Sequence, residues 1–513
     1  MDIGPHPGTP VLVGCGDITD TLTDAGAARS PYDLIAQAAR LALADTGAPD
    51  IGAAIDTVAV IRQFADTSYR FATPFGGSRN PPRSVAQRLG LNAARHVYSH
   101  SGGNMPQALV NRFAEQIAAG ATRAVLLCGG EALRTQHALQ RSGGVAEWHE
   151  DPGGEPELIG QARHGWSDHE ERHRLRAAIT VYPMFENAIR GQRGRGPQQH
   201  LRCIGELMAR FAAVAAANPL ATRRAAYTAQ ALSTVDARNR WIGYPYPRLM
   251  NAHAYNDQAA ALVMTSVAQA RRLGIAPRKW VFLHGCADAD DHWFVSERHD
   301  FHSSPAIRAA SRQALAMAGK TVDEMRFIDL YSCFASAVEI GCAEIGLAED
   351  DARGLTVTGG LPYFGGPGNN YVTHSIGEMM RRLRAHPGAF GLVTANGNYL
   401  TKHAFGVYST TPTAGRWQRQ DPARLQAQLD ALAKPAFTEA PRGDATIETY
   451  TVMHGRDGPE FAVLFGRLNA GGARFIANLS DEPALLWDLQ NRDSLGRPGR
   501  VAAVDGRNVF TPL

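Results

Sequence analysis

The chain contains two pairs of similar segments that follow each other in the same order. Residues 32–62 and 305–334 each read as an amphipathic helix, a glycine and a short apolar strand. Residues 102–131 and 368–397 each read as a Gly- and Asn-rich loop, a helix, a turn and an apolar strand that ends in glycine. Alternating strands and helices are typical of α/β proteins, in which helices cover a sheet. The repeats therefore predict an α/β fold built from two similar halves.

Changes in composition divide the 513 residues into five predicted segments. Residues 135–250 are rich in Arg, His, Gly and Pro, which predicts an insertion between the halves. Residues 445–480 alternate short apolar strands with RDG and AGG turns, which predicts a small antiparallel barrel. The segments are a first half at 1–134, for which an extension through about 251–270 is left open, the insertion at 135–250, a second half at 251–412, a linker at 413–439 and an added β domain at 440–513.

The overall composition restricts the classes of partner. A net charge of +3 is too close to neutral to indicate binding of nucleic acid or of an anionic membrane. The N-terminus has no basic stretch followed by an apolar run, so no signal peptide is predicted, and no stretch approaches the ~18 apolar residues of a membrane helix. We therefore expect a cytoplasmic protein with reduced thiols. The six cysteines, none of them in a CxxC pair, are Cys15, Cys128, Cys203, Cys286, Cys333 and Cys342.

Six strings carry a family resemblance. They are GGNMPQALVNRFAEQIAAG (102–120), YPMFENAIR (182–190), NRWIGYPYPRLMNAHAYNDQAAALVMTS (239–266), IDLYSCF (328–334), GGLPYFGGPGNNY (359–371) and TANGNYLTKHAFGVYS (394–409). With them the chain resembles the thiolase superfamily, which contains the acetyl-CoA acetyltransferases, and more specifically the thiolase-like proteins related to sterol carrier-type thiolases. The segment from 440 onward resembles the additional C-terminal domain of type 1 thiolase-like proteins.

The resemblance implies a fold and a ligand class. The fold would be that of thiolases: duplicated βαβαβ-type halves layered α/β/α/β/α, with a loop domain and a small C-terminal β-barrel-like domain. The ligand would be a coenzyme A thioester, as substrate or bound molecule, with no permanently bound cofactor. Thiolases usually pair through their core sheets, so a homodimer is expected, or a monomer if the added domain blocks pairing.

The residues that perform thiolase chemistry in the family are replaced in this chain. That chemistry needs a Cys nucleophile to hold the acyl group, histidines that activate it and bind oxyanions, and a second Cys that moves a proton. Gly103 stands at the nucleophile position and Ala395 at the second Cys. Tyr331 and Gly366 stand at the two His positions. The resemblance therefore implies a thiolase fold without the Cys-dependent mechanism.

Two serines near Gly103 provide an alternative nucleophile. Ser99 or Ser101 would need a base such as His100, because an unactivated hydroxyl is a poor nucleophile. Ser101 is retained as a candidate catalytic residue, and a Gly-rich turn that caps the next helix explains the same string. Cys333 is predicted to be a core residue.

The remaining motif residues predict a pocket suited to chemistry without an acyl-enzyme. Steroid side-chain aldolases of the same superfamily also lack the cysteines, and the chain resembles them in its tyrosines at or near the His motifs. Retro-aldol cleavage needs a base and hydrogen-bond donors for the enolate. We expect Tyr331 and Tyr363 as donors and His374 as base; simple core packing of the tyrosines is the alternative. The predicted pocket and binding residues are Gly103, Asn104, Tyr331, Tyr363, Asn370, Tyr371, His374, Asn396 and His403.

Arginines of the insertion are candidates for binding the phosphates of CoA, and a solvated basic surface is the alternative. The candidates are Arg190 and Arg193, followed by Arg195, Arg223 and Arg224. Three functions stay open: an acyltransferase-superfamily enzyme that makes or breaks a carbon–carbon bond in an acyl-CoA of lipid or steroid metabolism, a retro-aldol lyase acting on a β-hydroxyacyl-CoA, and a non-catalytic acyl-CoA-binding or scaffold protein. Of these, an enzyme is favoured, and the added β domain is expected to cover the site.

The string HEERH matches the HExxH pattern of zinc proteases. A helix would place His169 and His173 on one face, with Glu170 as base. The flanking residues are polar on every side and no third ligand stands out downstream. We therefore expect a solvated charged helix here and predict no metal site.

Overall fold

The computed structural model describes residues 4–21, 28–67 and 69–513. These ranges contain seventeen β-strands and fifteen α-helices, and none of the helices in them is long and apolar enough to span a membrane. The strands are β1 Pro10–Thr19, β2 Thr57–Val60, β3 Arg95–Ser99, β4 Ala124–Ala132, β5 Glu157–Ile159, β6 Trp241–Gly243, β7 Tyr246–Pro247, β8 Asp257–Ser266, β9 Val281–Asp290, β10 Met325–Asp329, β11 Phe390–Gly397, β12 Lys402–Ser409, β13 Gly443–His454, β14 Pro459–Leu468, β15 Arg474–Asn478, β16 Pro498–Val504 and β17 Arg507–Pro512. The helices are α1 Pro31–Asp45, α2 Ile51–Ala54, α3 Pro81–Leu89, α4 Met105–Ala118, α5 Leu133–Ser142, α6 Asp168–Arg172, α7 Ala178–Gln192, α8 Pro197–Ala217, α9 Ala229–Ser233, α10 Val267–Arg272, α11 Pro305–Ala318, α12 Ala335–Ile345, α13 Tyr371–Ala385, α14 Pro422–Asp430 and α15 Pro483–Asn491.

The larger sheet repeats one strand pattern twice. Its order is β10-β11-β12-β9-β1-β8-β4-β2-β3-β5. The set β2, β4, β8, β1 corresponds to the set β10, β11, β12, β9, because in each set the first pair is parallel and the next two are antiparallel. The sets join where β1 pairs with β9 through Val11–Phe282 and Leu12–Val281. The predicted α/β fold with duplicated halves is confirmed.

Helices of the two repeats pack against this sheet and against each other. Ser30 caps α1 by accepting the N–H of Asp33, whose carboxylate accepts the N–H of Ser30 in return. Gly319 ends α11 with φ of 62°, a left-handed conformation that glycine adopts at little cost. Helices α4 and α13 contact each other and strands of both halves. The loops that lead into α4 and α13 carry predicted site residues. Because the two helices are in contact, these loops lie in the same region of the protein.

The C-terminal strands close into a five-stranded barrel. They follow the order β14-β15-β17-β16-β13, and β13 also pairs with β14 to close the ring. The predicted β-barrel-like domain is confirmed. The hairpin of β6 and β7, which comes from the predicted insertion, extends the barrel sheet where Gly243 pairs with Met453. The barrel interior is filled by Tyr450, Val452, Leu464 and Phe475.

The HEERH string lies in α6, and its prediction as a solvated charged helix is wrong. His169, Glu170 and His173 are 5%, 1% and 1% exposed. One carboxylate oxygen of Glu170 accepts the N–H of Ser296 at 2.8 Å. The Nε2 of His173 accepts the N–H of Asn508, in the barrel, at 3.1 Å. Glu170 and His173 are thus hydrogen-bonded to segments distant in sequence, whereas neither ring nitrogen of His169 has a hydrogen-bond partner among the described residues. The structural hydrogen bonds of Glu170 leave it unavailable as a metalloprotease base.

Candidate functional site

The loop between β3 and α4 carries the position where the family places its nucleophile. Gly102 has φ of 147°, a conformation rarely adopted by residues with a side chain. Its N–H donates to Asn369, just before α13, at 3.1 Å, and its carbonyl accepts the N–H of Met105 at 3.0 Å. The loop is thereby fixed between the start of α4 and the second half.

Gly103 leaves no space for a side chain. An ideal Cβ on Gly103 would lie 2.2 Å from the hydroxyl oxygen of Tyr331 and 2.6 Å from the backbone oxygen of Asn396. Contacts this short are not tolerated between non-bonded atoms, so neighbouring atoms would have to move. The Tyr331 hydroxyl therefore lies against the backbone where a cysteine side chain would begin.

The cavity beside Tyr331 is small and its polar wall groups bond to each other. It has a volume of about 10 Å³ and is lined in part by Tyr331, Asn396 and His403. The Asn396 amide donates to the hydroxyl of Tyr182 at 3.1 Å and accepts the N–H of Leu400 at 3.1 Å. The Nε2 of His403 lies 3.0 Å from the carbonyl of Leu400. A cavity of this size holds about one water molecule and no acyl chain.

Tyr331 is buried among aromatic groups. It is 9% exposed, and its ring packs edge-on against Tyr371 with centroids 5.8 Å apart. Its backbone N–H donates to the Thr394 hydroxyl at 2.9 Å. Burial, with Cys333 and Tyr371 nearby, raises the pKa of the Tyr331 phenol well above its usual value. Tyr331 therefore stays protonated at neutral pH, and its hydroxyl is suited to donate a hydrogen bond rather than to act as a base.

Tyr363 and His374 lie outside the wall of this cavity. Tyr363 is fully buried, its ring centre lies 5.9 Å from that of Tyr227, and its hydroxyl has no hydrogen-bond partner among the described residues. The Nδ1 of His374 lies 3.8 Å from a carboxylate oxygen of Asp17 on β1. The structure thus does not bring the predicted donor Tyr363 or the predicted base His374 into the cavity lined by Tyr331.

Asn370 and Tyr371 form structural hydrogen bonds near the start of α13. The Asn370 amide donates to the carbonyl of Gly129 at 2.7 Å, and the Tyr371 hydroxyl lies 2.6 Å from that of Thr358. Asn104 is buried as well, and its Oδ1 has no hydrogen-bond partner in the part of the chain described. Asn370 therefore holds the backbone of β4 and Tyr371 holds the Thr358 side chain, and a ligand-binding role for Asn104 stays a prediction.

The serine alternative has no activating hydrogen bond. The Ser99 hydroxyl accepts the N–H of Arg62 at 2.9 Å. Within the described ranges, no hydrogen bond joins His100 to the hydroxyl of Ser99 or Ser101. Ser101 stays a candidate on position alone.

Comparisons with known proteins settle the family. Residues 424–506 match the family described as the thiolase-like protein type 1 additional C-terminal domain. A solved structure, a monomeric SCP2-thiolase like protein type 1 from Mycobacterium smegmatis, is 37% identical, covers 99% of both chains and superposes with a TM-score of 0.84. The chain belongs to the type 1 thiolase-like proteins.

More distant relatives of this thiolase-like protein agree in fold. A structure described as the Ltp2-ChsH2(DUF35) aldolase is 19% identical, with a TM-score of 0.55 over 79% of this chain and 98% of that one. That identity shows a shared fold alone. The 3-ketoacyl-CoA thiolase of Erwinia tasmaniensis is 29% identical over 159 residues, which are 28% of this chain. The match spans only 35% of that thiolase, about a third of its length.

Lys402 is a site residue that the sequence analysis missed. It is 3% exposed, and its ammonium donates to the carbonyl of Ser101 in the loop that contains Gly102 and Gly103. Burial lowers the pKa of Lys402 to about 8, and the nearby Asp290 carboxylate opposes this shift. The available signal was one lysine inside the apolar string TKHAFGVYS, in a chain whose basic residues are nearly all Arg. The thiolase-like protein thus has a buried amine beside the loop that contains Gly102 and Gly103.

We expect the wild-type protein to become more stable between pH 8 and pH 10, and we expect the Lys402→Met variant to lack this increase. The pKa of Lys402 is about 8 in the folded protein and about 10.4 in an unfolded chain. Between these values the unfolded chain binds a proton that the folded chain does not, so stability rises with pH, by roughly 2 kcal/mol. Urea titrations of both proteins at the two pH values measure the difference. Parallel pH dependences in the two proteins would show that Lys402 keeps an ordinary pKa.

The two predicted phosphate ligands are engaged by carboxylates. Arg190 is 1% exposed, and its guanidinium pairs with both oxygens of Asp493 at 2.8 and 3.0 Å. Arg193 donates to Glu339 at 2.6 Å and also to Glu349. In this arrangement Arg190 cannot reach a phosphate, and Arg193 would first have to leave its partners. The sequence around Arg190 and Arg193 does not reveal whether these arginines form buried ion pairs or a solvated basic surface.

Proposed function

We propose that this protein binds acyl-CoA through its thiolase-like fold and forms no covalent acyl-enzyme. The observation that carries the proposal is the contact at Gly103, where the hydroxyl of Tyr331 lies 2.2 Å from the place of a Cβ atom. A thiolase reaction requires a nucleophilic sulfur at this position to accept the acyl group. With phenol in its place, the acyl group stays on CoA.

The cysteines that remain are poor substitutes for that nucleophile. Cys333 lies in the motif of Tyr331, and burial raises the pKa of its thiol to about 12. Burial likewise raises the pKa of Cys15 to about 11. The thiolate is the reactive form, and at neutral pH its population at these residues is very small.

Binding without turnover is favoured over catalysis by the packing around Tyr331. The cavity of about 10 Å³ leaves no room for the reacting atoms of a thioester, and Asn396 and His403 already have hydrogen-bond partners inside the protein. The acyl-CoA would therefore rest outside this cavity. The monomeric state in the name of the relative from Mycobacterium smegmatis supports a monomer.

A second candidate function is a lyase that cleaves a carbon–carbon bond of an acyl-CoA without a covalent intermediate. The protonated Tyr331 phenol favours it, because a fixed O–H donor stabilises the enolate formed at a thioester. This function requires the wall around Tyr331 to open for substrate. It also requires a base other than His374, which lies outside the cavity wall.

We expect acyl-CoA to raise the unfolding temperature of the protein, with no acyl group transferred to any cysteine. A ligand at 100 times its Kd adds about 2.7 kcal/mol to stability when it binds only the folded state. Thermal unfolding with CoA, with acetyl-CoA and with a long-chain acyl-CoA measures binding, and mass spectrometry of the intact protein detects acylation. An S-acyl adduct, or no stabilisation by any of these ligands, would contradict the proposal.

The Tyr331→Phe variant separates the two candidate functions. For a binding protein we expect the same stabilisation by acyl-CoA in the variant and the wild type, since the phenol takes no part in holding CoA. For a lyase, wild-type protein must release an aldehyde or ketone from a β-hydroxyacyl-CoA, and the variant must lose that activity while it retains binding. No release by the wild-type protein leaves binding as the function.

A further inference from the structure

Three buried side chains with metal-binding chemistry meet away from the Tyr331 cavity. Glu186 on α7, His200 on α8 and Glu339 on α12 each offer one ligand atom, and these atoms all lie within 4.8 Å of one another. Glu186 and His200 are fully buried, and Glu339 is 1% exposed. The helices α7 and α8 belong to the predicted insertion, whereas α12 belongs to the second half. The cluster therefore joins two parts of the chain.

Hydrogen bonding leaves some atoms of this cluster without partners. The Nε2 of His200 lies 2.5 Å from Oε1 of Glu186, and Tyr246 donates to the other oxygen of Glu186. Arg193 donates to Oε1 of Glu339 at 2.6 Å. The second oxygen of Glu339, Oε2, is buried with no hydrogen-bond partner among the described residues. A buried carboxylate oxygen without a donor is costly, and a bound cation would satisfy it.

Two buried carboxylates of the cluster lie side by side with few cationic partners. Among the described residues, Arg193 pairs with Glu339 and also with the neighbouring Glu349. Glu186 pairs with the imidazole of His200 and has no salt bridge to a Lys or Arg side chain in the described ranges. A divalent cation between Glu186 and Glu339 would offset the cost of burying both carboxylates.

We propose that Glu186, His200 and Glu339 bind a divalent transition-metal cation, with Zn²⁺ as the best match to their chemistry. One imidazole and two carboxylates are ligands that Zn²⁺ accepts, and a fourth position is left for water or for Tyr246. Mg²⁺ and Ca²⁺ fit less well, because they prefer sites made of oxygen ligands alone. A single Zn²⁺ would lie between the carboxylates of Glu186 and Glu339 and offset their charges.

The cluster lies beside an open cavity. Glu339 and Arg193 lie in the wall of this cavity of about 580 Å³, which is also lined by His299, Asp300 and Arg308. Glu339 therefore separates the cavity from the other two side chains of the cluster, and a cation would enter past Glu339 and Arg193. The site would then fix α7 and α8 of the insertion to α12.

We expect chelator-treated protein to bind one Zn²⁺ per chain and to unfold at a higher temperature with Zn²⁺ present. The Glu339→Gln and His200→Gln variants remove one ligand each and should weaken Zn²⁺ binding at least about tenfold, as loss of even an outer-sphere partner does. Calorimetric titration with Zn²⁺ and elemental analysis after dialysis measure affinity and stoichiometry. Titration with Co²⁺ adds a direct readout, because bound Co²⁺ with a His ligand absorbs visible light.

The matched control is Glu344→Gln, the same substitution on the same helix. Glu344 also lines the cavity, but it pairs with Arg308 and takes no part in the cluster. We expect this variant to bind Zn²⁺ like the wild type. The proposal is overturned if wild-type protein binds neither Zn²⁺ nor Co²⁺ stoichiometrically, or if a folded Glu339→Gln or His200→Gln variant binds Zn²⁺ as tightly as the wild type. If neither variant folds, the wild-type titrations decide, and no binding would assign the cluster to shared protons.

Discussion

The Gly103→Cys variant is expected to lose stability and to gain no thiolase activity, although it restores the sulfur that related enzymes use. Its Cβ would lie 2.2 Å from the Tyr331 hydroxyl and 2.6 Å from the backbone oxygen of Asn396. The phenol ring packs against Tyr371, and the backbone of Asn396 is fixed in β11, so both neighbours resist movement. We expect a loss of about 3 kcal/mol, at the upper end for overpacking of a core. Urea unfolding measures the loss, and an acetoacetyl-CoA cleavage assay tests the activity.

Two further variants show whether Tyr331 causes the loss. Gly196→Ala is the control for adding a side chain to a glycine, because a Cβ there meets nothing within 4 Å. We expect it to leave stability nearly unchanged. Tyr331→Ala in the Gly103→Cys background opens the contested space, so the double variant should be more stable than the sum of the two single losses predicts. A Gly103→Cys protein that is as stable as wild type and becomes acylated would refute the steric exclusion at Gly103 from which the proposed function is argued.

The duplicated fold could be predicted because its signals are local. Residues 32–62 and 305–334 carry the same helix periodicity, helix end and strand, and these form α1 with β2 and α11 with β10. The barrel was likewise predictable from alternation and turns within 445–480. Local sequence patterns do not show how the two halves, the insertion and the barrel pack against each other. The burial of α6 depends on Ser296 and Asn508, which lie far from it in sequence.

The sequence predicts which thiolase residues are missing from the candidate site better than it predicts which residues touch each other there. The absence of a sulfur at Gly103 could be read from the motif, and the structure adds that Tyr331 fills the space. Tyr363 and His374 come from neighbouring motifs, but motif order does not say which side of a turn or helix faces the cavity. Lys402 was missed because its low pKa arises from burial, which the sequence does not give.

The cluster of Glu186, His200 and Glu339 could not be predicted from the sequence, for a related reason. Ligand motifs are recognised by short spacing, as in HEERH, whereas Glu186 and Glu339 lie on helices of different segments. The same limit explains the assignment of Arg190 to a phosphate. A charged residue that is solvated and one that is buried against Asp493 have the same appearance in a sequence.

The Arg474→Met variant is expected to show the largest loss of stability among single substitutions in the barrel. Arg474 on β15 has no exposed surface, and its guanidinium bonds to both oxygens of Glu448 at 2.6 and 2.8 Å. It also donates to the carbonyl of His299 in the second half at 2.9 Å and lies 4.5 Å from the ring centre of Phe301. Removing it leaves the carbonyl oxygens of Arg298 and His299 without this donor and leaves Glu448 with Arg467 as its remaining arginine partner. Such a loss costs about 3–5 kcal/mol, and urea unfolding measures it.

Arg467→Met is the matched control, because it removes an arginine that bonds to the same carboxylate. The Arg467 side chain is 37% exposed and donates to Glu448 at 3.0 Å. Water replaces this bond when the arginine is removed, so we expect a loss below about 1 kcal/mol. Both variants remove one positive charge that pairs with Glu448, but only Arg474 is buried. A difference between the two losses therefore measures the effect of burial. Equal losses of stability in the two variants would show that the barrel does not depend on Arg474 for its attachment to the second half. They would also show that water solvates Glu448 when Arg474 is removed.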